Sequence, residues 1–269
     1  MSMELLLGNI LVYLGFIISF LTVIFLLALF KKDNSIMDIA YGPTFAIAGI
    51  SLLTITQTAE TLAIVVVGCI TLWASRLSIR IYRKNAGKPE DQRYAAWRTE
   101  WMKRGKAYFI LRSYGQIYLL QGAIIAIVGL PMVFAISFAG EMQLVWLIAG
   151  AFIFATGLSY ETIADMQLDA FLQQKRAGTT DEVLMKTGLF HFSRRPNYFG
   201  EATIWTGLAI MVIPVSYGWI AILSPIVITY IVTMVTGPML ERIFLKQYPD
   251  EYRAYINTTS YFIPWPPKS

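Results

Sequence analysis

The chain has 269 residues, of which 56% are hydrophobic and 14% are charged, with a formal net charge of +5. Soluble domains carry about 25% charged residues, so this composition excludes an ordinary soluble domain and indicates an integral membrane protein. One cysteine excludes an intramolecular disulfide or a cysteine-pair motif. One histidine excludes a histidine-rich zinc site, so we expect no bound metal.

Seven apolar stretches are long enough to cross about 30 Å of hydrocarbon, which requires about 20 helical residues. The first is too long for a cleaved signal peptide and has no basic region before it, so we expect it to remain as a span. The predicted fold is therefore all-α, a single transmembrane domain over residues 1–269 with about seven helices in one bundle. The predicted spans are 8–30, 38–56, 61–82, 113–137, 143–164, 199–214 and 218–240.

The basic residues lie on one side of this predicted topology. Twenty of the 22 Lys and Arg residues fall in 31–37, 83–112, 165–198 and the tail after 240. Because basic loops remain cytoplasmic, we expect the amino terminus outside and the carboxyl terminus in the cytoplasm. This asymmetry explains the positive charge without a nucleic-acid partner, and no feature indicates an obligate protein partner.

The second predicted span opens with Asp38 and Tyr41, which are three residues apart, so both side chains can point into the bundle. A phenol can donate a hydrogen bond to a carbonyl oxygen, which makes Tyr41 a candidate catalytic acid with Asp38 beside it. Two other interpretations stay open: Asp38 caps the helix, and Tyr41 belongs to an interfacial aromatic belt.

Three arginines share one face of the third predicted span, because Arg76, Arg80 and Arg83 are spaced by four and three residues. Guanidinium groups match phosphate oxygens, and Asn85 and Lys88 follow in a turn whose backbone also suits a phosphate. The alternative is that these cations extend toward water at a cytoplasmic helix end.

The fifth predicted span ends with Glu161, Asp165 and Asp169, again on one helix face. Three carboxylates in line repel one another unless cations or hydroxyl groups neutralise them. The candidate partners are the arginines of the third span or the hydroxyl groups of a ribose. Simple helix-end charges and a divalent metal site are the alternatives.

The segment 188–201 combines two arginines, a proline that predicts a helix start, and polar residues that enter an apolar helix. Asn197 and Glu201 share one face of that helix. The Asn carboxamide can donate and accept, which suits a carboxamide or hydroxyl ligand. A buried Glu201 needs a partner, for which Arg194 and Arg76 are the candidates. Interfacial anchoring explains the arginines and aromatic residues, but not Asn197 with Glu201.

Several motifs along the chain occur together in one known family. They are Trp73-x-x-Arg76, Asn85-x-Gly87-Lys88, Glu161-x-x-x-Asp165-x-Gln167, Gly188-Leu189-Phe190, Arg194-x-Pro196-Asn197-Tyr198-Phe199-Gly200-Glu201, Glu241, Tyr248-Pro249-x-x-Tyr252-x-x-Tyr255 and Phe262-Ile263-Pro264-Trp265-Pro266. Over nearly its whole length the chain resembles the steroid 5-alpha-reductase family, and most closely its bacterial branch of unknown function.

The resemblance implies a multi-span helical protein of the bacterial inner membrane that binds NADPH from the cytoplasmic side. It places Asn197 and Glu201 near the nicotinamide, Asp165 near cofactor hydroxyl groups, and Arg194 or Arg195 at a phosphate. The full predicted cofactor-binding set, in which Arg76, Asn85 and Lys88 follow the ribose and phosphates, is Arg76, Arg80, Asn85, Lys88, Glu161, Asp165, Arg194, Arg195, Asn197, Tyr198, Glu201 and Tyr252.

Two positions depart from the family pattern. Arg195 stands where the family has the histidine of Arg-His-Pro-Asn-Tyr, so any hydrogen bond of that ring is lost or replaced. The Glu and Tyr with which the steroid reductases polarise the substrate ketone align near Tyr41 and Trp73. Because tryptophan cannot act as a general acid, Tyr41 is predicted to take this role with Asp38.

The resulting hypothesis is a reductase that uses NADPH to transfer a hydride to the conjugated double bond of a lipophilic enone entering from the bilayer. The first alternative is an isoprenylcysteine-type membrane methyltransferase, which shares Arg-His-Pro-x-Tyr-x-Gly and binds S-adenosylmethionine. The second is a non-catalytic membrane protein. Asn197, two additional amino-terminal spans and the basic tract from Arg76 to Lys88 favour the reductase, because S-adenosylmethionine has no phosphates.

Overall fold

The computed structural model describes residues 2–268 and is 81% helical. Apart from an isolated bridge between Ser193 and Ser260, the described residues form no β-structure. The all-α prediction is therefore confirmed.

Most of the α-helices follow one another with short connections, and the longest connection, residues 178–195, joins α8 to α9. They are α1 (Ser2–Lys31), α2 (Ile36–Thr56), α3 (Thr61–Asn85), α4 (Gln92–Met102), α5 (Lys106–Ser113), α6 (Leu120–Val128), α7 (Leu130–Ser137), α8 (Leu144–Ala177), α9 (Pro196–Val212), α10 (Leu223–Tyr230), α11 (Gly237–Gln247) and α12 (Pro249–Thr258). Two π-helical turns, Tyr114–Leu119 and Ile231–Thr236, join α5 to α6 and α10 to α11.

Six helical segments of the described chain are long and apolar enough to cross a membrane, which supports the predicted membrane protein. They are Met3–Lys31, Ile36–Thr56, Thr61–Asn85, Lys106–Val128, Leu144–Ala177 and Gly218–Gln247. The predicted number of seven spans is not confirmed. The sixth predicted span, 199–214, corresponds to α9, whose 17 residues extend only about 25 Å, less than the hydrocarbon thickness.

The fourth predicted span, 113–137, has different bounds in the structure. The continuous segment begins at Lys106 and ends at Val128, and α7 follows as a separate helix after Gly129. Pro131 lies in the first turn of α7, where its missing N–H costs nothing, whereas the same proline inside one long helix would remove a backbone hydrogen bond.

Two segments predicted as cytoplasmic loops are largely helical. Residues 83–112 contain α4 and most of α5, and α8 continues past the predicted end at 164 to Ala177. The predicted seventh span likewise extends from 240 to Gln247. The sequence prediction ended these helices where apolar residues gave way to charges, although Glu, Lys, Gln and Arg are good helix formers.

The chain divides into two compact units. The first comprises the residues up to Leu144 together with Val212–Ala221, and the second comprises Val145–Met211 and the residues from Ile222 onward.

In the first unit, α2 and α3 pack so closely that a side chain at Gly42 would clash with the α3 backbone at Ala74. Between the same two helices, the indole of Trp73 on α3 is fully buried, with its ring centroid 5.5 Å from that of Phe45 on α2. The buried side chain of Asn9 on α1 donates a 2.9 Å hydrogen bond to Ser137 on α7. Apolar contacts and one paired polar group thus hold these four helices together.

In the second unit, glycines allow α8 and α9 to approach backbone to backbone. A Cβ atom at Gly157 would lie 2.7 Å from the backbone nitrogen of Ile204, and one at Gly207 would lie 2.5 Å from the nitrogen of Phe154. Gly200 faces the backbone of Glu161 in the same manner. Small residues at such positions are a common means of packing membrane helices.

We expect Gly157→Ala to lower the free energy of unfolding by about 1–3 kcal/mol, because the added methyl group must push α8 and α9 apart. The matched control is Gly68→Ala, since a Cβ atom at Gly68 of α3 has no neighbour within 4 Å and alanine is the better helix former. Thermal unfolding of the detergent-purified variants measures both effects. Equal stability of the two variants would contradict the close approach.

Candidate ligand-binding site

Asp38 accepts two hydrogen bonds from α4 in the first unit. The Tyr94 hydroxyl donates to Asp38 Oδ1 at 2.6 Å, and Arg93 Nη2 donates to Asp38 Oδ2 at 3.1 Å. Burial and the neighbouring carboxylate raise the pKa of Tyr94, so it remains a protonated donor. The alternative that Asp38 caps α2 is wrong, because Ser35 holds the N-cap position and the Asp38 carboxylate is bound by α4 instead.

Two further contacts attach the segment before α4 to the start of α2. The hydroxyl of Ser35 accepts the backbone N–H of Asp91 at 2.7 Å, and Glu90 accepts the backbone N–H of Asn34 at 2.8 Å. Arg98 then holds Glu90 with two hydrogen bonds of 2.8 Å. The polar residues that follow α3 are thereby fixed against α2 rather than left as an open loop.

Two neighbouring cavities lie in this part of the first unit. One, which we call the inner cavity because it contains Asp38 and Tyr41, has a volume of about 390 Å³ and is lined by Asp38, Tyr41, Ile81, Lys84, Asn85, Asp91, Arg93 and Gln121. The outer cavity, about 510 Å³, shares Lys84, Asn85 and Asp91 with it and adds Lys88 and Lys31. The predicted catalytic residues Asp38 and Tyr41 therefore line the inner cavity. The predicted cofactor ligands Asn85 and Lys88 line the outer cavity, which shares Asn85 with the inner one.

Tyr41 stands at the boundary between the inner cavity and the packed core. Its ring centroid lies 5.3 Å from that of Phe45 and 6.4 Å from that of Trp73, both edge to face. These ring contacts restrict the orientation of the phenol. Arg76 and Arg80, the other predicted cofactor ligands of the first unit, are half-buried on α3.

Two of the three carboxylates of α8 lie in the interior of the second unit, whereas Asp169 is half-buried. Glu161 is 5% exposed and Asp165 is 4% exposed. Glu161 faces Gly200 of α9 across the close helix contact. One turn later, the side chain of Gln167 accepts the backbone N–H of Leu189 at 2.9 Å and so holds the loop that leads to α9.

Arg194 is bound entirely by protein groups. Its Nε and Nη2 donate to Glu241 Oε1 at 3.0 and 2.7 Å, and its Nη1 donates to the carbonyl of Thr259 at 2.6 Å and to that of Ile256 at 3.3 Å. The partner of Arg194 is thus Glu241. The prediction that Arg194 pairs with Glu201 is wrong. Glu201 accepts the indole N–H of Trp205 at 2.9 Å.

The adjacent Arg195 has the opposite character. Its Nε and Nη2 are buried and have no hydrogen-bond partner among the described residues. The guanidinium carbon lies 5.9 Å from the ring centroid of Tyr198 and 5.6 Å from that of Phe244. Cation–π contacts hold the group, while the edge that binds a carboxylate or phosphate bidentately is unsatisfied.

Tyr252, another predicted cofactor ligand, is 2% exposed and stacks on Phe244 at 5.2 Å between ring centroids. Its hydroxyl donates weakly to Glu241 at 3.4 Å. Burial raises the pKa of Tyr252. Tyr252 therefore packs in the interior against Phe244. Asn197 and Tyr198 are half-buried at the start of α9.

Sequence reasoning missed the partners of the residues that it selected. Tyr94 lies 56 residues from Asp38, and no local spacing connects them. Glu241 was noted only as part of a family motif. The glycines could have been found, because Gly150 and Gly157, like Gly200 and Gly207, are seven residues apart and so share a helix face. No group of three or more potential metal ligands is present among the described residues.

The fold and these buried polar groups define a polytopic helical membrane protein. The chain belongs to the protein family of unknown function DUF1295, whose sequence model matches residues 24–259. No curated protein and no solved structure matches the chain. The family membership agrees with the expected branch of unknown function.

We expect Tyr94→Phe to reduce the free energy of unfolding by about 1.5–3 kcal/mol, because a buried donor to a carboxylate is lost. Tyr82→Phe is the control, since Tyr82 is 60% exposed on α3. Chemical unfolding followed by circular dichroism compares the variants. A loss for Tyr82→Phe as large as that for Tyr94→Phe would refute the role of the Asp38 contact.

We expect Glu241→Gln to destabilise the protein by about 3 kcal/mol, because the buried Arg194 guanidinium would lose its counter-charge. Glu251→Gln makes the same substitution on the exposed surface of α12 and should change stability by less than about 0.5 kcal/mol. Melting temperatures in detergent distinguish the two, and a neutral result for Glu241→Gln would show that the ion pair does not stabilise this region.

Proposed function

We propose that this protein is a membrane-embedded reductase of the bacterial inner membrane that uses NADPH to reduce the conjugated double bond of a lipophilic enone. The amino terminus would face outward and the carboxyl terminus the cytoplasm, in keeping with the distribution of Lys and Arg. The substrate would enter from the bilayer, either a steroid-like molecule or another lipid.

The observation that carries the proposal is the unsatisfied edge of Arg195. A buried guanidinium without a hydrogen-bond partner is costly unless a ligand completes it. Two parallel N–H donors on one planar edge match two oxygens of a phosphate. Arg194, whose donors are directed at Glu241 and two carbonyls, supports this edge rather than competing for the ligand.

An anion-accepting arginine favours the dinucleotide over the alternative cofactor. NADPH carries several phosphate groups, whereas S-adenosylmethionine carries no phosphate, a single carboxylate and a positively charged sulfur, so NADPH offers Arg195 far more negative charge. The arginine that replaces the family histidine therefore strengthens the reductase reading rather than weakening it.

The other predicted ligands fit a dinucleotide by their chemistry. In the first unit, Asn85 and Lys88 line cavities, and they suit ribose and phosphate oxygens. In the second unit, buried Glu161 and Asp165 can accept hydrogen bonds from sugar hydroxyl groups. Asn197, Tyr198 and Glu201 begin an apolar helix, where the resemblance places the nicotinamide.

On the substrate side, the inner cavity offers one phenol and one carboxylate. When bound, NADPH would supply the hydride for the double bond. Tyr41 would donate a hydrogen bond to the enone carbonyl and so stabilise the negative charge that develops on its oxygen. Tyr94 and Arg93 fix the Asp38 carboxylate, which sets the charge beside that phenol.

The proposal is tested by titrating detergent-purified protein with NADPH, NADH and S-adenosylmethionine and recording the melting temperature. A ligand that binds only the folded state adds about 2.7 kcal/mol at one hundred times its dissociation constant. We expect NADPH to stabilise the wild type, and Arg195→Met or Asn197→Ala to abolish that response. Arg253→Met, an exposed change on α12, should leave it intact.

Three outcomes would overturn the proposal. A response to S-adenosylmethionine alone would favour the methyltransferase, and no response to any of the nucleotides would favour a non-catalytic protein. An NADPH response that persists in Arg195→Met would remove the observation on which the proposal depends. The unliganded melting temperature of each variant shows whether it is folded.

A further inference from the structure

The outer cavity of the first unit collects lysines from three separate segments. Lys31 ends α1, and Lys84 lies in the last turn of α3. Lys88 lies in the turn that follows α3, and its Nζ donates a hydrogen bond to the backbone carbonyl of Lys84. All three side chains are exposed, and none makes an ion pair with another described residue.

The carboxylates in the wall of this cavity already have partners. Glu90 is held by Arg98, Asp91 by Arg93 at 2.9 Å, and Asp33 accepts the backbone N–H of Ser35 at 2.8 Å. Partial burial would raise the pKa of Asp91, but its hydrogen bonds with Arg93 and the nearby charge of Lys84 keep it below the ordinary value.

The lining holds three lysines and three carboxylates. Arg98 and Arg93, which lie outside the lining, engage Glu90 and Asp91, and Arg93 also binds Asp38, so the three lysines are the cations left to meet a ligand. Such a surface attracts an anion, and the exposed ammonium groups can reorient to contact its oxygens.

One wall of the cavity is apolar. Ile36 and Ile39 from the first turns of α2 line it, together with the ring of Tyr82, which is 60% exposed. These residues belong to helices long and apolar enough to cross a membrane, so they border the depth at which headgroups meet acyl chains. A ligand here would need an anionic head and an apolar body.

We propose that the outer cavity binds the phosphate of an anionic phospholipid, with Lys31 and Lys84 at the phosphate and the two isoleucines against the glycerol and upper acyl chains. The cavity also contains Asn85 and Lys88 of the proposed cofactor set, so phospholipid and NADPH would be alternative occupants of it. The shared chemistry is a phosphate group, which could also come from the cofactor, so the experiment must separate lipid from nucleotide.

The test uses the full chain in nanodiscs of phosphatidylcholine, with or without phosphatidylglycerol. Native mass spectrometry of the released protein counts retained lipids, and the melting temperature is recorded with each lipid and with NADPH. We expect the wild type to retain phosphatidylglycerol selectively. Lys31→Gln with Lys84→Gln should weaken that retention by about tenfold or more, since each lysine near a lipid surface contributes measurably.

The matched control is Lys106→Gln with Lys246→Gln, which removes the same charge from exposed positions that line neither cavity. This control should retain phosphatidylglycerol like the wild type. Equal losses in both variants would mean a nonspecific charge effect and would overturn the proposal. Unchanged phosphatidylglycerol retention in Lys31→Gln with Lys84→Gln would also overturn the proposal. If that variant lost only its response to NADPH, the cavity would be assigned to the cofactor instead.

Discussion

Pairing of the ionic groups that leave water organises both units, and the guanidinium edge of Arg195 is an exception. Asp38 is held by a phenol and a guanidinium from α4, and Glu90 by Arg98 and a backbone amide. Arg194 is held by Glu241 and two carbonyls. Each pairing joins segments distant in sequence, because a charge without a counter-charge in an apolar interior is strongly unfavourable. These paired charges act as cross-links.

Adjacent identical residues have different roles in the loop before α9. Arg194 binds the carboxyl-terminal segment through four hydrogen bonds, whereas Arg195 is held only by aromatic faces and leaves one edge unsatisfied. In the proposed reductase, this division would separate scaffold from binding surface within two residues. At the position where the resemblance predicts a histidine, the guanidinium provides a planar, permanently charged edge that imidazole lacks.

Hydrophobic length and charge distribution predicted the helical membrane architecture, and the positions of five spans agree with helices in the structure. Helix ends were predicted less well. Apolar stretches stop where the chain leaves the hydrocarbon region, whereas the helices continue through Glu, Lys and Gln. At the site, spacing selected Asp38 and Glu161 correctly as buried or cavity-lining groups. The sequence could not predict that Tyr94 binds Asp38 or that Glu241 binds Arg194. These partners are 56 and 47 residues apart, and contacts at such distances along the chain follow from tertiary packing.

The π-helical turn Ile231–Thr236 has a consequence for the whole carboxyl-terminal region. Such a turn accommodates one more residue than α-helical geometry allows, and its Thr233 carbonyl accepts the Tyr261 hydroxyl at 2.7 Å. Shortening the turn by one residue would rotate everything after it by about 100° about the helix axis. Glu241 would then swing away from Arg194. Chain length between α10 and α11 is thus under a stricter geometric constraint than residue identity there.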